Sequence, residues 1–257
     1  MRAASGQAAL VTGAAKRLGR AMALALASRG FDIAIHYHSS SAAARVVADE
    51  AMALGVRAAA IKADFLREAE VASLVSRARD ALGSRLTVLV NNASIFENDS
   101  VASSSRANWD RHFESNLRAP FVLTQRFAAQ VAQPSTDDMG EPVASGCIVN
   151  LVDQRVVKPT SHFATYTVSK MALWALTQTT AISLAPRIRV NAIGPGPTLP
   201  SVGQDMEHFT RQRRNTMLKR GTNPEDVVAA LLYFVESPAL TGQLICVDAG
   251  QRLSWRP

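Results

Sequence analysis

Residues 8–20 read Ala8-Ala9-Leu10-Val11-Thr12-Gly13-Ala14-Ala15-Lys16-Arg17-Leu18-Gly19-Arg20. A short apolar run passes through a glycine turn into a segment of helical period. Such a turn lets backbone N–H groups approach a pyrophosphate at the positive end of the following helix. Gly13 permits the tight turn, Gly19 permits close packing of helix on strand, and Leu18 lies between them in the same cradle. Glycine turns are common. One placed after the first strand of an alternating pattern is a strong signal.

That alternation continues along the chain. Strand-like runs fall at Ala8–Val11, Ile33–Tyr37, Arg57–Lys62, Leu86–Asn91, Cys147–Leu151, Ile188–Ile193 and Leu244–Val247. Helical periods fall at Arg17–Arg29, Ser41–Leu54, Ala69–Leu82, Asn108–Val131, Phe163–Leu184 and Pro224–Val235. Strands alternating with helices predict an α/β chain: a single doubly wound, Rossmann-type domain spanning residues 1–257. Its mostly parallel sheet has about seven strands, with helices on both faces. The polar stretch Gln133–Gly146 reads as a surface loop. Residues 194–219 carry three prolines and little periodicity, which suggests a lid over the site. There is no repeat, linker or second domain in the pattern.

The 257 residues, 47% of them hydrophobic, suffice for one core. No apolar run reaches transmembrane length, and Met1–Gln7 lacks the design of a signal peptide, so a soluble, cytoplasmic protein is expected. Cys147 and Cys246 lie in strand-like runs and read as buried thiols. The net charge of +7 is scattered apart from Arg211–Arg214 and Lys219-Arg220. That distribution suits a solvated face, or attraction of an anionic cofactor, better than a nucleic-acid stripe.

The second strand ends His36-Tyr37-His38-Ser39-Ser40-Ser41, with no acid. An acid there would hold a ribose 2′-hydroxyl and repel a 2′-phosphate. Arg17, the imidazoles and the hydroxyls can instead donate to that phosphate, so the cofactor expected is NADP(H). One of the two imidazoles could simply pack under the adenosine. No Cys, Asp or Glu stands beside His36 and His38, so no metal is expected.

Tyr166-Thr-Val-Ser-Lys170 stacks a phenol and an ammonium on one helix face. The ammonium is expected to lower the phenol pKa from about 10 and make Tyr166 a proton donor in reduction. Together with the glycine turn, Asn91-Asn92-Ala93, Asn116 and Val247-Asp248-Ala249-Gly250, this pattern resembles the short-chain dehydrogenase/reductase family over nearly the whole chain. The resemblance implies that Asn116 helps hold a water linking the lysine to solvent. Two positions depart from it. Arg17 replaces the middle glycine of TGxxxGxG, and Asp153 replaces the serine expected thirteen positions before Tyr166. An ionised carboxylate about 4 Å from a developing alkoxide costs about 4 kcal/mol at an effective dielectric of about 20. Ketone reduction is therefore poorly served unless burial keeps Asp153 protonated. A C=N bond gaining a proton at nitrogen fits better.

Arg17, His36 to Ser40, Asn91 to Ser94, Asp153, Tyr166 and Lys170 together resemble the pteridine reductases and the bacterial dihydromonapterin reductases. This nearer resemblance implies hydride transfer from NADPH to a dihydropterin. Phe96 would stack on the pterin, Ser94 and Arg17 would touch it, and Asp153 and Tyr166 would handle its proton. Asp64, with Phe65, would lie by the adenine, Asn92, Ala93 and Ser94 along the cofactor, and Pro195-Gly196 on the nicotinamide side. It also implies a homotetramer, in which a terminal arginine of some relatives reaches a neighbouring site. Two alternatives stay open: a carbonyl reductase of the same family, and a non-catalytic NADPH-binding regulator.

Overall fold

The computed structural model describes residues 6–201 and 203–254; Trp255 and Arg256 of the tail lie outside them. Strand β1 (Ala8–Val11) is wholly buried, and its period of two sorts its side chains between two cores. Ala9 and Val11 enter one, Ala8 and Leu10 the other. A strand covered on both faces has no polar side to show, which is why these runs read as continuous apolar stretches.

The chain continues through α1 (Arg17–Ala27), β2 (Asp32–Tyr37), α2 (Ser41–Ala53), β3 (Ala58–Lys62), α3 (Glu68–Leu82) and β4 (Leu86–Asn91). Then come α4 (Arg106–Phe113), α5 (Ala119–Gln130), a small hairpin of β5 (Ser135–Thr136) and β6 (Pro142–Val143), and β7 (Gly146–Leu151). The remainder is α6 (Ala164–Leu184), β8 (Ile188–Pro195), α7 (Met206–Arg214), α8 (Pro224–Glu236) and β9 (Leu244–Val247). Seven strands form one parallel sheet in the order β3-β2-β1-β4-β7-β8-β9. Helices α1, α2 and α8 cover one face, through residues such as Met22, Val47 and Phe234. Helices α3 and α5 cover the other through Leu74, Leu123 and Phe127. The expected single α/β domain is what the chain forms. Strand order reverses between β1 and β4, and the carboxyl ends of the strands meet there in the crevice where such sheets bind ligands.

Four expectations need correction. The helix expected over Asn108–Val131 starts earlier, at a Ser105/Asn108 capping box, and is interrupted by a π-helical turn at Glu114–Arg118. The loop at 133–146 contains the β5–β6 hairpin. Residues 194–219 are not irregular throughout: Pro195 ends β8, and α7 forms behind its Asp205 cap. A single buried residue, Phe209, anchors α7, so no apolar stripe announced it. Cys246 is only half-buried, whereas Cys147 is buried. Within the basic run, Arg213 is spent internally, donating to the carbonyls of Pro197 at 3.1 Å and Thr222 at 2.6 Å. No helix among the described residues is long and apolar enough to cross a membrane.

Candidate active site

At the end of β1 the Thr12 hydroxyl accepts the N–H groups of Asn92 at 2.8 Å and Ala93 at 2.9 Å, tying the β1 and β4 ends together. Asn92 returns its amide to the Thr12 carbonyl at 2.8 Å. Gly13 turns the chain at φ +64°, and α1 lies so close that a Cβ on Gly19 would stand 2.2 Å from the Gly13 carbonyl oxygen. This is a cradle that any side chain would fill. Arg17 takes φ +57° in the place of the middle glycine, a left-handed conformation costly for a residue that carries a Cβ. Its Nη2 donates to the Leu199 carbonyl at 3.4 Å, so it bridges the turn and the segment at 194–219. Lys16 stands at the N-cap and Arg17 opens a helix with no acid in its first turn, a donor set suited to phosphates.

The two imidazoles separate. His36 is buried and stacks on Phe65, with ring centroids 4.4 Å apart. The Gly13 N–H donates to its Nδ1 at 3.0 Å, so Nε2 carries the proton toward the Ala63 carbonyl at 3.1 Å. Burial lowers its pKa from 6.5 to about 4. A neutral ring with both nitrogens committed cannot be the phosphate donor expected of it. His36 braces the turn instead. His38 is exposed, 3.9 Å from Asp64. Tyr37 packs on the core, Ser40 precedes α2, and Ser39 is exposed. These three residues, Asp64 and Phe65 lie beside the cleft rather than in its wall.

The cleft itself encloses about 820 Å³ between the glycine turn, the 94–98 loop, the β7 end and α7. At its floor Tyr166 donates its hydroxyl to Asp153 Oδ2 at 3.1 Å. Lys170 Nζ donates to the Leu151 carbonyl at 2.7 Å. Burial lowers the Lys170 pKa to about 8. Burial, followed by the Asp153 charge, raises that of Tyr166 well above 10. The expected easing of phenol ionisation by Lys170 is thus overturned. The ammonium bonds to a carbonyl rather than to the hydroxyl, and desolvation and a carboxylate both hold the proton on.

Asn116, within the π-helical turn, accepts from Ser94 Oγ at 3.1 Å and the Ile95 N–H at 2.9 Å, and donates to Ser169 Oγ at 3.2 Å. It joins the 94–95 loop to α6. Phe96 stacks on Phe163, with centroids 4.3 Å apart and planes 7° from parallel, and stands edge-on to Tyr166. Pro195 and Gly196 close the opposite wall, where a Cβ on Gly196 would meet Asp248 at 2.7 Å.

Four further residues were not foreseen in these roles. Arg155 pairs with Asp153 Oδ2 at 3.1 Å through a 3₁₀ turn, Gln154–Val156. Phe163 takes φ +60° at the start of α6. Asp99 captures that helix end, accepting the Phe163 N–H on its carbonyl at 2.7 Å and the Thr165 N–H on its carboxylate at 3.2 Å. Its carboxylate also takes the Thr165 hydroxyl. Buried His112 meets that hydroxyl at 2.7 Å and accepts the Glu97 N–H at 3.1 Å. The only hint was polar residues in an otherwise unreadable loop.

Residues 13–252 match the family described as enoyl-(acyl carrier protein) reductase. The 3-oxoacyl-[acyl-carrier-protein] reductase FabG of Staphylococcus epidermidis is 30% identical over 94% of this chain and 97% of its own. FolM alternative dihydrofolate reductase 1 of Brucella suis, solved with NADP, is 40% identical. It covers all of this chain and 98% of its own, with a TM-score of 0.90. A short-chain dehydrogenase of Burkholderia cenocepacia, also with NADP, is 33% identical over 97% of this chain and 99% of its own, with a TM-score of 0.86.

Proposed function

The chain belongs to the short-chain dehydrogenase/reductase family, and within it we propose an NADPH-dependent reductase of dihydropterins, acting on a C=N bond to give the tetrahydro form. The observation that carries this reading is the 3.1 Å hydrogen bond from Tyr166 to Asp153, in the position where the family's ketone reductases place a serine. The identity with FolM of Brucella suis supports it.

Bound NADPH supplies the hydride. Backbone N–H groups of the Gly13–Gly19 turn and the cations of Lys16 and Arg17 would hold its phosphates, and the absence of an acid at the end of β2 leaves room for the 2′-phosphate. Phe96 offers a face for a flat heterocycle, with Ser94 and Arg17 at its rim. For hydride delivered to the ring carbon, the Asp153–Tyr166 pair or a water beside it would supply the proton that the ring nitrogen takes up. Lys170 supports the pair electrostatically. The segment at 194–219, with α7, would act as the lid that sets side-chain specificity.

The test is steady-state NADPH oxidation with dihydrobiopterin, dihydromonapterin and dihydrofolate alongside a 3-oxoacyl thioester. Turnover of at least one pteridine supports the reading. Robust ketone reduction with no pteridine consumed refutes it. The second reading, a carbonyl reductase, has in its favour the full-length match to the 3-oxoacyl reductase.

A further inference from the structure

Asp153 is 14% exposed at its side chain and faces a phenol, so a lone carboxylate there would be costly. One residue answers it. Arg155 donates twice, through its backbone N–H to Oδ1 at 2.9 Å and through Nη1 to Oδ2 at 3.1 Å. The 3₁₀ turn capped by Asp153 itself bends Arg155 back to make both contacts. Oδ2 therefore accepts from Arg155 and Tyr166 together. The guanidinium carbon lies 5.7 and 5.1 Å from the centroids of Phe96 and Phe163. Those rings are stacked 4.3 Å apart, so one guanidinium makes a cation–π contact with each of two packed rings, which holds it in place. The other groups facing Asp153 are Tyr166 and Lys170 from α6 and Cys246 from β9; none is acidic in its resting form.

We propose that Arg155 is a positioning residue that holds the Asp153 carboxylate turned toward Tyr166, an inference that rests on the dihydropterin reading for its catalytic consequence. Removing the guanidinium leaves a carboxylate free to rotate off the Tyr166 hydroxyl.

The test compares Arg155→Met and Arg155→Lys with the parent chain. In crystals of the protein without added substrate, the Asp153 carboxylate should turn off the Tyr166 hydroxyl in Arg155→Met and return to it in Arg155→Lys. Turnover is then followed with NADPH and dihydrobiopterin. At neutral pH kcat should fall about tenfold or more, while KM for NADPH changes little. If Arg155→Met misfolds by circular dichroism, Arg155→Gln takes its place. An Asp153 carboxylate that stays on the Tyr166 hydroxyl in Arg155→Met overturns the inference. A displaced carboxylate in a protein that turns over no pteridine upholds it and removes the substrate reading alone.

Discussion

Substituting Gly19 by alanine adds one methyl group at the tightest point of the nucleotide cradle. The new Cβ would lie 2.2 Å from the Gly13 carbonyl oxygen, 2.8 Å from its carbon and 2.7 Å from Asn92 Nδ2. None of these neighbours is a free side-chain end. Gly13 is held by His36 through its N–H, and Asn92 by the Thr12 carbonyl. Relief therefore requires moving α1 away from the turn by roughly an ångström, at an overpacking cost of about 1–3 kcal/mol. Alanine gains about 1 kcal/mol of helix propensity over glycine, which offsets part of it. A net loss of up to about 2 kcal/mol should lower Tm by up to roughly 8 °C at this chain length. Displacement of the N–H groups should weaken NADPH binding about tenfold, the equivalent of about 1.4 kcal/mol. Thermal unfolding and quenching of intrinsic fluorescence by NADPH measure the two. An alanine variant with unchanged Tm and unchanged NADPH affinity would refute the close-approach reasoning.

Because the folded chain binds the His36 proton only near pH 4 while the unfolded chain binds it near 6.5, stability should fall as pH drops through that window, by up to about 3 kcal/mol. His36→Gln should flatten the dependence when urea unfolding is followed at pH 4.5, 5.5 and 7; an equally steep dependence in the variant would contradict it. Arg17→Ala removes the cation beside the expected 2′-phosphate and should raise KM for NADPH about tenfold or more while leaving that for NADH nearly unchanged, as initial rates with the two nucleotides will read. Tyr166→Phe should lower kcat about 10²- to 10⁴-fold with NADPH affinity within about twofold; a smaller loss in stopped-flow turnover would place the proton source elsewhere.

Local signals carried far into the fold. The β1 run and the glycine turn were legible because strand, turn and helix start are contiguous and each residue's requirement is met nearby. Asp153, Tyr166 and Lys170 were legible as a set, and the structure brings Asp153 and Tyr166 into contact. What escaped depends on distance or direction. Asp99 reaches Thr165 across 66 residues, and no periodicity announces that contact. Arg155 was hidden because its pairing needs the 3₁₀ turn to fold it back. The direction of the Tyr166 shift was misjudged because spacing places Lys170 on the right face without saying that its ammonium bonds to Leu151. Likewise the His36 imidazole, read as a donor at a strand end, points inward at a backbone N–H. Helix α7 lacks an apolar stripe, and its Asp205 cap shows only in the fold.

The most direct measurement of the central claim is the ratio of kcat/KM for dihydrobiopterin to that for a 3-oxoacyl thioester, with NADPH, before and after Asp153→Ser. A carboxylate serving a ring nitrogen predicts a high ratio in the parent chain that collapses by about a hundredfold or more in the variant, with ketone reduction held or improved. A parent chain that prefers the thioester, or a serine variant that keeps its pteridine turnover, would contradict it.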